Sequence, residues 1–333
     1  MAGVIDTDRF SKTLRQRGID RETQQVLIAN LHGSEQERDL SEPANCGGFG
    51  RVRHFHHSTS SGWPPNPLPI VPAARALGIA APELMRAQVF QNAVCNWRCW
   101  YCFVDFPLLS GDPKRSTPLT AVELVDLYVA ETDPAPMIDL SGGQPDLVPE
   151  WVAWMLAEVR ARSLDVYVWS DDNLSNDYFF VQLTPAERAT IERDERYGKV
   201  CCFKGFDETS FAFNTLAAPE LFARQFELMH RLLDETPLDL YSYVTLTSPD
   251  GSDIAAKMAS FIDRLQEVDA NLPLRTVPLE ISVFTPVASR LTDTHRRALE
   301  IQNEAVAAWS DELERRFAPE QREAAITDVP LRG

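Results

Sequence analysis

Residues 95–102 read Cys95-Asn96-Trp97-Arg98-Cys99-Trp100-Tyr101-Cys102. Three thiols at Cys-x3-Cys-x2-Cys spacing can converge on one soft metal centre. They follow an apolar run over 87–94 (AQVFQNAV) whose length and composition predict a buried strand. The cysteines then fall on the loop leaving that strand, where α/β folds carry their chemistry. A [4Fe–4S] cluster takes four cysteines, so a local set of three leaves one iron for another ligand. Zinc competes for the same thiols. A closed structural zinc site also needs four ligands, and no His or Cys follows Cys102 at finger spacing. A disulfide framework belongs to small secreted chains. Buried cysteines that bind nothing are the remaining alternative.

A chain of 333 residues can bury one large core, alone or with appendages. Its 44% hydrophobic and 24% charged content is that of a soluble globular protein rather than a disordered or membrane-embedded one. The net charge of −17 argues against non-specific binding to nucleic acid or an anionic membrane, so neither is expected as a partner. The other three cysteines, Cys46, Cys201 and Cys202, do not form a second cluster-like set, and buried inert thiols are the simpler reading of them. The N-terminus (MAGVIDTDRFSKTL) has no apolar signal core, and no run approaches a membrane span. A cytoplasmic location is the expectation, and it suits an oxygen-sensitive cluster.

Residues 1–85 read as an N-terminal extension, helical within 8–31 and then loop-rich. Gly and Pro punctuate 41–72, which also hold Cys46, Trp63 and the His54, His56, His57 group. The aromatics there favour an ordered wrap over the core. From residue 86 strand-like and helix-like runs alternate. Strands are expected over 87–94, 137–140, 165–169, 199–203, 238–246 and 276–284. Helices are expected over 118–131, 148–162, 185–196, 219–234, 252–268 and 293–316. Six such repeats predict an α/β fold, a parallel sheet with helices outside. Six are too few for a full eight-stranded barrel. An open partial (β/α)6 TIM-type barrel over 86–290 fits, followed by a C-terminal helix and tail over 291–333.

The expected strand ends carry unusual residues. The second runs into Ser141-Gly142-Gly143-Gln144-Pro145, where two glycines allow close approach of backbone to a ligand, or a tight turn. The third ends in Trp169-Ser170-Asp171-Asp172-Asn173, short polar groups suited to ribose hydroxyls or an ammonium, or to an Asx-turn. The fourth ends in Cys201-Cys202-Phe203-Lys204-Gly205. Lys204 is one of only five lysines; aimed inward it could hold a carboxylate, aimed outward it snorkels to solvent. Glu280 lies in the sixth apolar run (VPLEISVF) and needs a partner if that run is buried.

With Tyr101 just ahead of the last cysteine, the motif resembles the signature of the radical S-adenosylmethionine (SAM) enzymes. Residues 86–286 are closest in pattern to glycyl-radical-enzyme activating enzymes such as pyruvate formate-lyase activating enzyme. The resemblance implies a [4Fe–4S] cluster on Cys95, Cys99 and Cys102 whose open iron binds the amino and carboxylate groups of SAM. It implies reductive cleavage of SAM to a 5′-deoxyadenosyl radical, an outside electron donor such as flavodoxin or ferredoxin, and the partial barrel itself. Gly142-Gly143-Gln144-Pro145 resembles the family's Gly-Gly-Glu-Pro, so Ser141, Gly142, Gly143 and Gln144 are expected SAM contacts, with Gln144 standing in place of Glu. Ser170, Asp172 and Asn173 fall where activating enzymes carry Thr-Asn-Gly. Lys204 matches the lysine of their Asp-x-Lys, with Cys202 in place of the Asp, and is the expected contact to SAM carboxylate. Val283, Phe284 and Pro286 would lie near adenine. The substrate stays open: a glycine of a partner protein, a peptide, or a small molecule, with 41–85 closing the barrel mouth. An iron–sulfur or zinc protein with an electron-transfer or structural role is the alternative.

Overall fold

From Leu84 to Arg316 the chain alternates strand and helix, and what precedes Leu84 completes the sheet and fills its hollow. The computed structural model describes residues 3–332; residues 1, 2 and 333, at the ends of the first and last expected segments, lie outside the described residues. Helix α1 (Thr7–Gly18) starts where the Asp6 carboxylate accepts from the Arg9 N–H at 3.1 Å. Short strands β1 (Ile19–Asp20) and β2 (Gln25–Ala29) follow, then β3 (Gly50–His56), α2 (Ile70–Leu77) and β4 (Leu84–Gln91). Next come β5 (Ser116–Thr120), α3 (Ala121–Val129), β6 (Met137–Ser141), α4 (Glu150–Ala161) and β7 (Tyr167–Asp172). Helices α5 (Tyr178–Val181) and α6 (Pro185–Glu192) lead to β8 (Tyr197–Phe203). The rest is α7 (Glu208–Thr215), α8 (Leu221–Glu235), β9 (Leu240–Thr245), α9 (Ile254–Val268), β10 (Thr276–Leu279), α10 (Thr285–Ala288), α11 (Asp293–Arg316) and α12 (Pro319–Arg322). Sequence signals start several helices: Thr120 with Glu123, Thr184 with Glu187, and Thr292 with His295 form reciprocal capping boxes.

The main sheet has seven strands in the order β10-β9-β8-β7-β6-β4-β3. Six are parallel and neighbour one another in chain order; β3 adds an antiparallel edge. Right-handed crossovers between sequential neighbours put every connecting helix on the same side. Alternate strand residues such as Ile138, Leu140, Val168 and Phe203 therefore pack under those helices in the larger core. The other set, including Met137, Trp169, Tyr241 and Tyr243, faces inward. There α2 and the chain before it act as a plug: Leu68, Ile70 and Ala73 are fully buried against those strands. Burying each large aliphatic stabilises the plug by roughly 1.5–3 kcal/mol. The chain after β3 bridges to the far strands, since Trp63 Nε1 donates to the Pro278 carbonyl of β10 at 3.0 Å. The architecture is an α/β sheet whose inner face is enclosed, compatible with the expected partial barrel. No helix among the described residues is long and apolar enough to cross a membrane.

Three expectations change. Residues 50–56 are not loop but strand β3, two of whose three inward residues, Arg51 and Arg53 beside Phe55, break the apolar alternation that marks a half-buried strand. The helix expected within 8–31 stops at Gly18, and β2 pairs with β5 in a separate small sheet. The sixth strand stops at Leu279, leaving Ser282, Val283 and Phe284 exposed and Pro286 buried; Glu280 is half-buried outside the strand.

The first strand also ends earlier than its apolar run. Asn92–Val94 leave the sheet yet remain buried. Their backbone groups find partners elsewhere, as buried peptides must: the Ala93 N–H donates to Leu27 O, and Val94 O accepts from the Gln144 N–H at 2.8 Å. This packing leaves position 143 no room. A Cβ on Gly143 would lie 2.6 Å from the Val94 carbonyl oxygen and closer still to that of Asn92. Gly143→Ala is expected to cost at least about 2 kcal/mol, because both obstructing atoms are backbone. Urea unfolding of the variant would show it; an unchanged midpoint would refute the packing.

Candidate functional site

The cysteine loop rises from the C-terminal end of β4. Arg98 shapes it from within: Nη1 donates to the carbonyls of Cys95 (2.6 Å) and Trp97 (2.9 Å), and Nη2 donates to Ser110 Oγ. Trp97 anchors it to α1 through Thr7 Oγ1 and packs edge-on to Phe211. Trp100 donates to Asn214 Oδ1 at 3.0 Å and stacks on His295. From the far side Arg290 donates to the carbonyls of Cys102 and Val104. Asn96, Trp97, Trp100 and Tyr101 are buried, whereas Cys95, Cys99 and Cys102 are each half-buried. Burial pushes the Cys99 thiol up to about 12, against the pull of Lys204; Cys102 is raised by burial and by Cys95.

By donor type the loop fits a soft metal or a cluster: three thiols, with the cations Arg98, Arg290 and Lys204 near enough to feel their charge. Among the described residues no group of three or more His, Cys, Asp or Glu is gathered tightly enough to hold a metal ion. The three sulfurs thus share a loop without meeting, and His54, His56 and His57 do not form a set either. The remaining thiols, Cys46, Cys201 and Cys202, are buried, and burial raises all three.

The expected SAM contacts divide into three groups. Gly142, Gly143 and Gln144 pack on the protein itself. Gly142 has φ +88° and its Cβ would strike Gln91 Cγ at 2.5 Å, so the glycine pair serves close packing with the end of β4. Gln144 is 1% exposed and fully bonded: Nε2 donates to Asp172 Oδ1 at 2.8 Å, and Oε1 accepts from the Asn173 N–H at 3.0 Å. The Gln in place of Glu follows physically, because Asp172 needs a donor there and a carboxylate could not supply one. Ser170 and Asp172 form a second group, facing the helix layer. Ser170 Oγ bonds Tyr197 OH, and Asp172 lies 3.8 Å from Lys199, which also holds Asp146. Asn173 links this layer to the cysteine loop, donating to Asn96 Oδ1 at 3.0 Å. Only Ser141 and Lys204 belong to the inner face. Ser141 Oγ donates to Asp139. Burial opposes the Lys204 charge, but Cys202, Tyr101, Cys99 and Asp171 around it hold its pKa well above the usual value.

Strand alternation brings further residues to that face which the sequence reading passed over. Arg51 and Arg53 on β3, Asp139 on β6 and Asp171 on β7 line it. Tyr101 closes over it with its hydroxyl 3.0 Å from Thr245 Oγ1. The signal was present: Asp139 is two residues before Ser141, and Asp171 alternates with the two outward residues chosen instead. Asp139 is fully buried. Burial and Asp171 push its carboxyl up to about 7, against Arg53 and Arg51. Arg51 is drawn down to about 10 by burial and by Arg53.

Gln144→Glu should destabilise the protein by about 1–3 kcal/mol near pH 7 by setting a carboxylate on Asp172, and adding Asp172→Asn should restore most of the loss. Denaturation of the single and double variants checks it, and an unaffected single variant would sink the account. Asp139 gives a pH test. The folded protein keeps its proton up to about 7, whereas the unfolded chain releases it near 3.8. Its contribution to stability is therefore present at low pH and lost as pH rises through 7. Asp139→Asn should gain stability over the parent as pH rises from about 5 to about 8, by on the order of 2 kcal/mol. A pH-independent difference would remove that proton from Asp139.

No family model matches this chain, and no curated protein matches it. Among solved structures it is similar to the crystal structure of Streptococcus suis SuiB bound to S-adenosylmethionine, with a TM-score of 0.45 and 14% sequence identity. The match covers 67% of this chain and 46% of the SuiB chain, so the chain spans about half that protein's length.

Proposed function

We propose that this chain is a radical SAM enzyme that holds a [4Fe–4S] cluster on Cys95, Cys99 and Cys102. Once bound and reduced, such a cluster supplies the single electron that splits SAM into methionine and a 5′-deoxyadenosyl radical, which takes a hydrogen atom from the substrate. The observation that carries the reading is the cysteine loop: three thiols at this spacing on the loop that leaves the C-terminal end of the first parallel strand. Around it the chain's own residues have defined tasks. Lys204 is the cation for the carboxylate of SAM. Ser141 and the backbone at Gly142 border the same face, while Gln144, Asp172 and Asn173 fix the strand ends behind it. Trp100 and Tyr101 keep water from the inner side of the loop, being buried there. Arg98 and Arg290 hold the loop carbonyls and leave the thiols free to bind. Flavodoxin or ferredoxin would supply the electron.

The test is anaerobic. The protein is reconstituted with iron and sulfide, reduced and mixed with SAM, while the EPR spectrum and 5′-deoxyadenosine are followed. The expected result is a cluster signal that shifts with SAM, plus 5′-deoxyadenosine. Replacing any one of Cys95, Cys99 or Cys102 by Ala should abolish the signal. Lys204→Ala should keep the iron and weaken SAM binding about tenfold or more. A cluster indifferent to SAM would make the protein an electron carrier, and bound zinc would make it a zinc protein; either overturns the proposal.

A further inference from the structure

Five buried side chains on the inner face carry polar atoms without partners; Tyr167 OH is one, on strand β7, and the other four lie together on β3, β4, β6 and the turn beside them. Arg51 leaves Nε and Nη2 unpaired, Asp139 leaves Oδ1, Gln91 leaves Nε2 and Gln36 leaves Oε1. These residues are 6%, 0%, 0% and 1% exposed. The sheet register assembles them: Arg51 pairs with Val89, Val89 with Asp139, and Gln91 stands two residues further along the same face. Gln36 reaches that end of β4 from a 3-10 turn at Gln36–Asp39, donating to Gln91 Oε1 at 3.0 Å. Folded interiors pair nearly all such atoms, because an unpaired buried polar group costs several kcal/mol. Their convergence on one face outlines a polar ligand.

The atom types say which ligand. Nε and Nη2 lie on one edge of the guanidinium, the edge that grips a carboxylate with two parallel hydrogen bonds. Arg160 holds Asp194 by that same edge, at 2.7 and 2.8 Å. Asp139 offers an acceptor instead, with Asp171 on the next strand. Arg53, 3.9 Å from Asp139, and Arg51 are counter-charges to both carboxylates, and Lys204 adds to them at Asp171. A protonated amine beside Asp139 would favour its ionised form next to Asp171, which a neutral group would not. The site also adjoins the cysteine loop, since the Arg51 guanidinium lies 5.1 Å from the ring of Phe103, the residue after Cys102. Lys204 faces Cys202, Tyr101 and Cys99, at the cysteine loop, and a separate titration of SAM distinguishes its ligand from that of Arg51.

We propose that the inner face of β3, β4 and β6 binds a free α-amino acid, with its carboxylate on Arg51 and its ammonium on Asp139. As the molecule that yields the hydrogen atom it rests on the radical reading; as a binding site it does not. Binding is measured on the unreduced, reconstituted protein by titrating the common L-amino acids singly in a calorimeter, with SAM titrated separately. At least one amino acid should bind, and its methyl ester and its N-acetyl derivative should each bind at least about tenfold more weakly. Arg51→Gln should abolish that binding and leave SAM affinity unchanged. Asp139→Asn, close in shape, should lose the discrimination against the N-acetyl derivative, and it serves as the test should Arg51→Gln fail to fold. Binding of no amino acid, equal binding of the ester and N-acetyl forms, or loss of SAM binding in Arg51→Gln would overturn the proposal. In the last case the fork would serve the methionyl end of SAM. Amino acid binding without 5′-deoxyadenosine formation would leave the site standing and remove the radical reading alone.

Discussion

The end of β6 is pressed against the chain leaving β4 so closely that a single carbon atom has no place between them. Gly143 rests on the carbonyls of Asn92 and Val94, while Gln144 is bonded to both residues through its backbone. Residues that leave a sheet while still buried must bond their peptide groups elsewhere. Here those bonds run to β2, to Leu109 and Gly111, and to Gln144. The cysteine loop consequently starts from a point fixed in three directions. Its position relative to the strands beside it is set by packed backbone, the least adjustable part of a protein.

The enclosed face of the sheet is divided along its height. The end nearer the strand starts is apolar and plugged by α2, whereas the end near the cysteine loop holds Arg51, Arg53, Asp139, Asp171 and Lys204. Strand β7 shows how differently one fold can treat two adjacent carboxylates. Asp172, on the helix side, sits in a network where Lys199 meets Asp146 at 2.7 and 2.8 Å and Gln144 supplies a further donor. Asp171, on the enclosed side, has charges around it and no ion pair within bonding distance among the described residues. Paired charge holds the scaffold together. Unpaired charge costs stability and is available to a ligand, the exchange commonly found where binding and folding compete.

The alternation of strands and helices was legible because each parallel strand is an apolar run and each helix carries the 3.6-residue period; helix α11 begins and ends as its pattern indicates. Strand β3 was not legible, since two of its three inward side chains are arginines and a strand is recognised by apolar alternation. The three cysteines stood out by spacing alone. The neighbouring polar residues did not sort themselves so easily, because Ser170, Asp171, Asp172 and Asn173 look equivalent in sequence and point to opposite faces in the fold. Gln144 looked like a ligand contact and is engaged with Asp172 and Asn173. Which side of a strand a residue takes depends on register, and register is fixed by contacts distant in the chain.

The bond between Gln144 and Asp172 also constrains how such a sequence can change. A lineage moving from the amide to the acid at position 144 loses stability if it alters that residue first, since both positions would then carry a carboxylate in one buried contact. The less costly order first makes position 172 neutral, when two amides can still bond each other, and only then admits the acid at 144. The favoured order of substitutions is thus written into a single hydrogen bond of 2.8 Å, and descendants that kept the aspartate are biased towards the glutamine.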